Sequence, residues 1–140
     1  MSDSVLTELN DGVLKVTLNE PETMNALSAG ITKGLFDAIE RANAEDEVRV
    51  LLLTGSGRGF CAGASVVGGG PGSAQAQEPT RQERLDRRGT SAKTVEVFAN
   101  CEVPVVAAIN GPAVGAGFGI ATCCDIRLVG ESARMGSIFI

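Results

Sequence analysis

Two short and almost continuously apolar runs, Val50-Leu51-Leu52-Leu53 and Val103-Pro104-Val105-Val106-Ala107-Ala108-Ile109, constrain the fold more than any other feature of this chain. A strand that is apolar on both sides has to be covered on both sides, as central strands are in a parallel sheet layered with helices. Pro104 is compatible with this reading because it stands at the start of its run, before the hydrogen-bonding ladder needs its missing N–H. Each run is followed by a segment of very small residues: Phe60-Cys61-Ala62-Gly63-Ala64 after the first, and Asn110-Gly111-Pro112-Ala113-Val114-Gly115-Ala116-Gly117 after the second. Such segments expose main chain where side chains would otherwise cover it.

The remaining periodicity fills in an α/β pattern. Val5 to Leu9 and Val13 to Leu18 read as strands joined at Asn10-Asp11-Gly12, where Asp-Gly favours a two-residue hairpin turn. Ser28 is placed to cap a helix whose Ile31, Leu35, Ile39 and Ala42 share one face. Gly30 and Gly34 weaken that helix by roughly 1 kcal/mol each, so packing has to hold it. Val48 to Thr54 forms the first central strand and Val103 to Ile109 the second. Between them, residues 66–79 are rich in Gly, Pro, Ser, Ala and Gln and predict a mobile loop. Thr80 to Asn100 then predicts an amphipathic helix with Ala92, Val95, Phe98 and Ala99 on its apolar side. Gly115 to Cys123 predicts a tightly packed helix, Asp125 to Val129 a third strand, and Ala133 to Ile140 the beginning of another. Strand pairs alternating with helices make one α/β domain over residues 1–140.

Composition narrows the function classes. The 140 residues are 44% hydrophobic, enough for a core, but only five are Phe and none is Tyr or Trp, so small and aliphatic side chains do the packing. A net charge of −5 argues against nucleic acid or an anionic membrane as the main partner. No apolar stretch approaches the roughly 18 residues that span a bilayer, and no apolar leader follows Met1-Ser2-Asp3-Ser4. Cys61, Cys101, Cys123 and Cys124 form no CxxC pair, which reads as a reduced, cytoplasmic protein; Cys61 reads as a small core residue, and Cys123-Cys124, with no zinc-ligand set around it, as core packing. Histidine is absent, which removes the usual acid–base group of neutral pH. Preorganised backbone N–H groups facing a developing oxyanion are then the most plausible source of chemistry.

The order and spacing of the motifs carry a resemblance. Asn25-Ala26-Leu27, Phe60-Cys61-Ala62-Gly63-Ala64, Ala108-Ile109-Asn110-Gly111-Pro112-Ala113-Val114-Gly115-Ala116-Gly117 and Cys124-Asp125-Ile126-Arg127 resemble the enoyl-CoA hydratase/isomerase, or crotonase, family over nearly the whole chain. The resemblance implies a spiral of ββα units, incomplete here at its C-terminal side, and acyl-CoA thioester substrates of fatty acid metabolism. It implies a homotrimer or hexamer, and no cofactor beyond the CoA carried by the substrate. It places two backbone oxyanion donors on Ala64 and Ala116. It also matches Met24, Asn25, Ala26, Ala62, Gly63, Ser65, Val66, Val67, Gly115 and Gly117 to segments that line the substrate.

Two departures from the family pattern restrict the activity that the resemblance implies. Where hydratases of the family carry a pair of glutamates, this chain has Gly119 and Phe139, neither of which transfers a proton. A two-glutamate hydratase is therefore not expected. The chain is also shorter than the family's, which reads as an N-terminal portion; a carboxylate replacing the pair would belong to the rest.

Plainer readings stand beside these. Any single glycine of 111, 115, 117 and 119 is explained by tight packing. Phe60 and Phe118 read as core, Ser65 as a helix cap, Asp125 as a cap or acceptor, Glu96 as a solvent-facing helix residue. Arg81, Arg84, Arg87 and Arg88 read as a solvated face, with CoA phosphates as the alternative ligand. A noncatalytic acyl-CoA-binding or structural relative remains an alternative function. A dinucleotide-binding module, suggested by Gly115-Ala116-Gly117-Phe118-Gly119, is more remote because Ile120 stands where GxGxxG continues and no acidic residue follows about 20 positions on.

Overall fold

A computed structural model describes residues 3–65 and 89–138. The chain opens with β1 (Val5–Asn10) and β2 (Val13–Leu18), paired antiparallel. Asp11 and Gly12 both have positive φ, 49° and 83°, the geometry that matches a hairpin turn to the twist of its strands. After a 3₁₀ turn at Pro21–Thr23 come α1 (Ala29–Ala44), β3 (Val50–Gly55), α2 (Gly89–Ala99), β4 (Val105–Ile109), β5 (Ala113–Val114), α3 (Ala116–Cys123), β6 (Ile126–Val129) and β7 (Met135–Gly136).

The main sheet has five strands in the order β1-β2-β3-β4-β6, parallel from β2 onward. The two apolar runs of the sequence are thus neighbours, with Leu51 opposite Val105 and Leu53 opposite Ala107. Leu14, Val16, Leu18, Leu51, Leu53, Val105, Ala107 and Ile109 are all buried on this sheet. Full burial of each larger aliphatic side chain stabilises by about 1.5–3 kcal/mol before entropy is counted.

Helix α1 covers one side with Ile31, Leu35, Ala38, Ile39 and Ala42. Ser28 caps it, accepting from Ile31 N at 3.1 Å while its hydroxyl donates to Glu20 Oε1 at 2.7 Å. Gly34 has a packing reason: an added Cβ would lie 2.7 Å from Val5 Cβ, so its small size lets α1 approach β1. Reciprocal bonds join β4 to the chain before β6, with Val105 N donating to Asp125 Oδ2 at 2.7 Å and Asp125 N donating to Val105 O at 2.9 Å. Asp125 is therefore the acceptor that the sequence suggested.

Two expectations need correction. The apolar side of α2 runs through Phe98, 5% exposed, and the partly buried Val97; Val95 is 53% exposed and Ala99 is exposed as well. Phe98 is drawn into the core while Val95 faces away, and Lys93 Nζ stands 5.9 Å from the Phe36 ring of α1. The strand expected from Ala133 to Ile140 shrinks to β7, paired in parallel with β5 in a separate two-stranded sheet. Its length is set by its partner, because Gly115 leaves β5 at φ 54° to enter α3, and Gly115 N makes the closing bond to Gly136 O at 3.0 Å. The loop expected at 66–79, the beginning of the helix expected from Thr80, and Phe139 lie outside the described residues.

Candidate active site

Residues 60–65 and 113–117 lie against each other at one end of the sheet. Phe60 N and Cys61 N both donate to Pro112 O, at 3.0 and 3.1 Å, and Val114 N returns a bond to Cys61 O at 3.1 Å. Cys61 and Ala113 form a parallel bridge, as do Leu27 and Ala64 on the other flank. Ala62 N donates to Met24 O at 2.9 Å, and Leu27 N donates to Gly63 O at 2.7 Å. Three stretches distant in sequence, 24–27, 60–64 and 112–117, are thereby stitched together through the main chain.

Glycines make this approach possible. A Cβ on Gly63 would lie 2.8 Å from Val114 O and 3.3 Å from Ala116 N. A Cβ on Gly117 would collide with the carbonyl of Cys61. Ala64 and Ala116 each follow a glycine of positive φ, Gly63 at 96° and Gly115 at 54°. Among the described residues, neither Ala64 N nor Ala116 N donates to a backbone carbonyl, whereas Ala62 N donates to Met24 O and Gly115 N to Gly136 O. Ala64 is exposed and Ala116 half-buried. Ala116 also opens α3, where the free N–H groups carry partial positive charge and favour an anion.

The other expected substrate-lining residues fall in different settings. Met24 is half-buried with φ 52°, and Asn25 follows at φ 55°. Left-handed backbone at two successive non-glycine residues costs roughly 1–2 kcal/mol each. Hydrogen bonds of the Asn25 side chain offset it: Oδ1 accepts from Glu20 N at 2.9 Å, and Nδ2 donates to Ser56 O at 3.0 Å and Gly59 O at 2.9 Å. Asn25 is fully buried and Ala26 8% exposed, so in this stretch the main chain of Met24, rather than the Asn25 side chain, meets the site. Ala62 is half-buried and Ser65 buried. Val66, Val67 and the four arginines between 81 and 88 lie outside the described residues, as does the segment that Ser65 would cap.

No side chain in residues 60–65 or 110–124 other than cysteine can exchange a proton near neutrality. Burial pushes the Cys61 thiol up to about 11, against a weaker opposing hydrogen bond from Gly63, and pushes Cys124 up to about 12. Both are therefore neutral, poorly nucleophilic core thiols. Gly119 has open space where a Cβ would stand, so the helix could accept a side chain there but supplies none. Among the described residues, no group of three His, Cys, Asp or Glu could hold a metal ion, and no helix is long and apolar enough to cross a membrane.

Sequence reasoning placed Asn110 in a motif without giving its side chain a task. It accepts from Gly55 N at 3.2 Å and donates to Gly57 O at 3.1 Å and Gly59 O at 3.4 Å. The only signal in the sequence was an asparagine directly after a buried strand. The acceptor carbonyls of Met24 and Pro112 had no signal at all.

The fold and the site together define an α/β protein in which two segments of small residues meet through their main chains at one end of a mostly parallel sheet. The family model for enoyl-CoA hydratase/isomerase matches residues 8–140, and the chain belongs to this family. A Mycobacterium tuberculosis protein named a probable enoyl-CoA hydratase is 35% identical over 98% of this chain and 51% of its own length. A solved enoyl-CoA hydratase of Mycobacterium marinum superposes with a TM-score of 0.73 at 34% identity, over 99% of this chain and 57% of that one. A solved monofunctional enoyl-CoA isomerase of Mycobacterium smegmatis gives 0.72 at 29% identity, over 94% and 52%. The fold is thus the crotonase fold, and the chain spans about half the length of the curated relatives it matches.

Proposed function

We propose that the chain binds acyl-CoA thioesters and stabilises a thioester enolate between the N–H groups of Ala64 and Ala116. The observation that carries this reading is the pairing of two amides with no backbone acceptor among the described residues, held close by Gly63 beside Ala116 N. A thioester oxygen gains charge as an enolate forms, and fixed donors about 2.7–3.1 Å away stabilise the transition state without reorganising. Small residues on both segments let the carbonyl reach the main chain. No cofactor enters this scheme beyond the CoA of the substrate.

A second reading is a noncatalytic acyl-CoA binder. Gly119 and the absence of proton-transferring side chains in both segments favour it. In either case a two-glutamate hydration is not the reaction proposed.

Ala116→Pro tests the donor role. Position 116 is the first residue of α3, where proline is best tolerated and where the N–H lost has no backbone acceptor among the described residues. The preceding Gly115, at φ 54° and ψ −124°, occupies the mirror image of the extended region that residues before proline prefer, open to glycine alone. The expected result is a folded protein whose preference for a short enoyl-CoA over free CoA falls by about tenfold or more. If turnover occurs, followed by the conjugated-thioester absorbance, it falls by about 10²–10³. Unchanged thioester preference in the folded variant overturns the donor assignment. Thioester binding without turnover in the parent chain selects the second reading.

A further inference from the structure

The turn between β3 and the first donor segment is gripped by two asparagine side chains from different parts of the chain. Asn25 donates to Ser56 O and Gly59 O; Asn110 donates to Gly57 O and Gly59 O and accepts from Gly55 N. Both amides converge on the carbonyl of Gly59, at 2.9 Å from Asn25 Nδ2 and 3.4 Å from Asn110 Nδ2. Gly59 is followed at once by Phe60, whose N–H donates to Pro112 O, two residues beyond Asn110. Asn110 therefore binds the turn that launches the first donor segment while itself opening the segment that carries the second.

The geometry points to Asn110 as a positioning residue that sets the placement of Ala64 N relative to Ala116 N, and so decides whether a thioester oxygen meets both donors. This rests on the reading of those two amides as the substrate's donors. The chemistry requires an amide. One oxygen must accept from Gly55 N while the adjacent NH₂ supplies hydrogens to two carbonyls. A carboxylate keeps the first contact and turns the other two into oxygen facing oxygen. Asn110 is exposed, unlike the fully buried Asn25, so substitutions there alter the clamp without opening the core. Misplacing a reacting group by about 1 Å costs on the order of 10²-fold in rate, so a small shift of the turn suffices.

The test is Asn110→Asp in the full chain, with Asn110→Ser as a second variant and Asn43→Ala as the control. Asn43 donates to Asn100 O at 3.0 Å and accepts from Glu102 N at 2.9 Å, an amide clamp on the surface whose bonds involve neither Asn110 nor the turn carbonyls. The readouts are the ratio of affinities for a short acyl-CoA thioester and for free CoA, the amide shifts of Ala64 and Ala116 without ligand, and the melting temperature. The expected result is a ratio lowered about tenfold in both Asn110 variants with affinity for CoA unchanged, and shifts at both amides. Acidification, which protonates the introduced carboxyl and restores a donor, returns part of the ratio in Asn110→Asp alone. Asn43→Ala keeps the ratio at whatever melting temperature it shows. An unchanged ratio in the Asn110 variants, or an equal loss in Asn43→Ala, overturns the positioning role while leaving the donors standing. If the parent chain does not prefer thioester over CoA, the donor reading fails and the role of Asn110 falls with it, a result visible before any variant is made.

Discussion

Gly117 packs so closely on Cys61 that a Cβ at 117 would lie 2.8 Å from Cys61 Cβ, with the Cys61 carbonyl closer still. Two residues away on the same helix, Gly119 would carry a Cβ in open space. The same residue type in the same eight-residue helix therefore answers to opposite constraints.

Gly117→Ala is expected to destabilise the chain by about 1–3 kcal/mol, because backbone on both sides has to move apart. Gly119→Ala is expected to stabilise it by about 0.5–1 kcal/mol, since the helix gains a better former at no steric cost. Urea midpoints of the two variants check both signs.

Asn25→Ala would leave the buried Gly59 O and the part-buried Glu20 N and Ser56 O without their side-chain partner. A loss of about 3 kcal/mol is expected from these unmet groups. Asn43 makes a comparable pair of bonds, donating to Asn100 O at 3.0 Å and accepting from Glu102 N at 2.9 Å, but on the surface. Asn43→Ala is expected to cost under about 1 kcal/mol, because water replaces the amide. Denaturant unfolding of the pair measures the difference.

All four cysteines are free, and burial raises each thiol above its ordinary value. Cys101 and Cys123 are only half-buried, so alkylation at mildly alkaline pH is expected to reach them first, with Cys61 and Cys124 reacting after unfolding. The linkage has a definite sign. The unfolded thiols ionise near 9, while folded Cys61 holds its proton to about 11. Above about pH 9 the unfolded state binds fewer protons, so stability falls with rising pH until the folded thiol also ionises. Cys61→Ala is expected to flatten this decline, seen as a smaller drop in urea midpoint between about pH 8 and pH 10.

Asp125→Ala removes the acceptor of Val105 N at the margin of β4 and β6. Because Asp125 is exposed, a loss of about 1 kcal/mol is expected, centred on β6. Hydrogen exchange at Ile126–Val129 should accelerate more than exchange in β3, and Asp125→Asn should recover most of the protection.

The elements were legible where one physical demand dominated. Leu51, Leu53, Val105 and Ala107 form the fully buried face of two paired strands, while Leu52 and Val106 on the opposite face are only half-buried, so the cover expected on both sides is complete on one; the Asp11-Gly12 turn could take positive φ at low cost. The donor role proposed for Ala64 and Ala116 rests on the spacing of their motifs, since an alanine discloses nothing about what its amide is doing. Val95 misled because helical spacing fixes which residues share a face but not which face finds a neighbour. The shortness of β7 was hidden because it depends on where β5 ends, a tertiary fact. The left-handed backbone at Met24 had no signature in the residue itself, and the task of Asn110 appears only once Gly55–Gly59 is folded beside it.

The parallel order from β2 to β6 has a kinetic consequence. Apart from the β1–β2 hairpin, every pairing in the main sheet joins residues far apart in the chain, as Val13 with Val50 and Leu51 with Val105 do. Such a topology folds slowly, because loop closure precedes the contacts that reward it. Yet closure entropy grows only logarithmically, about 0.6 kcal/mol for each doubling of a loop. The stretch between β3 and β4 is therefore a place where chain length can vary at small thermodynamic cost, whereas a one-residue slip of either strand would turn its buried row outward. The fold therefore tolerates wide variation in how much polypeptide joins the two small-residue segments, and almost none in the register that brings them face to face.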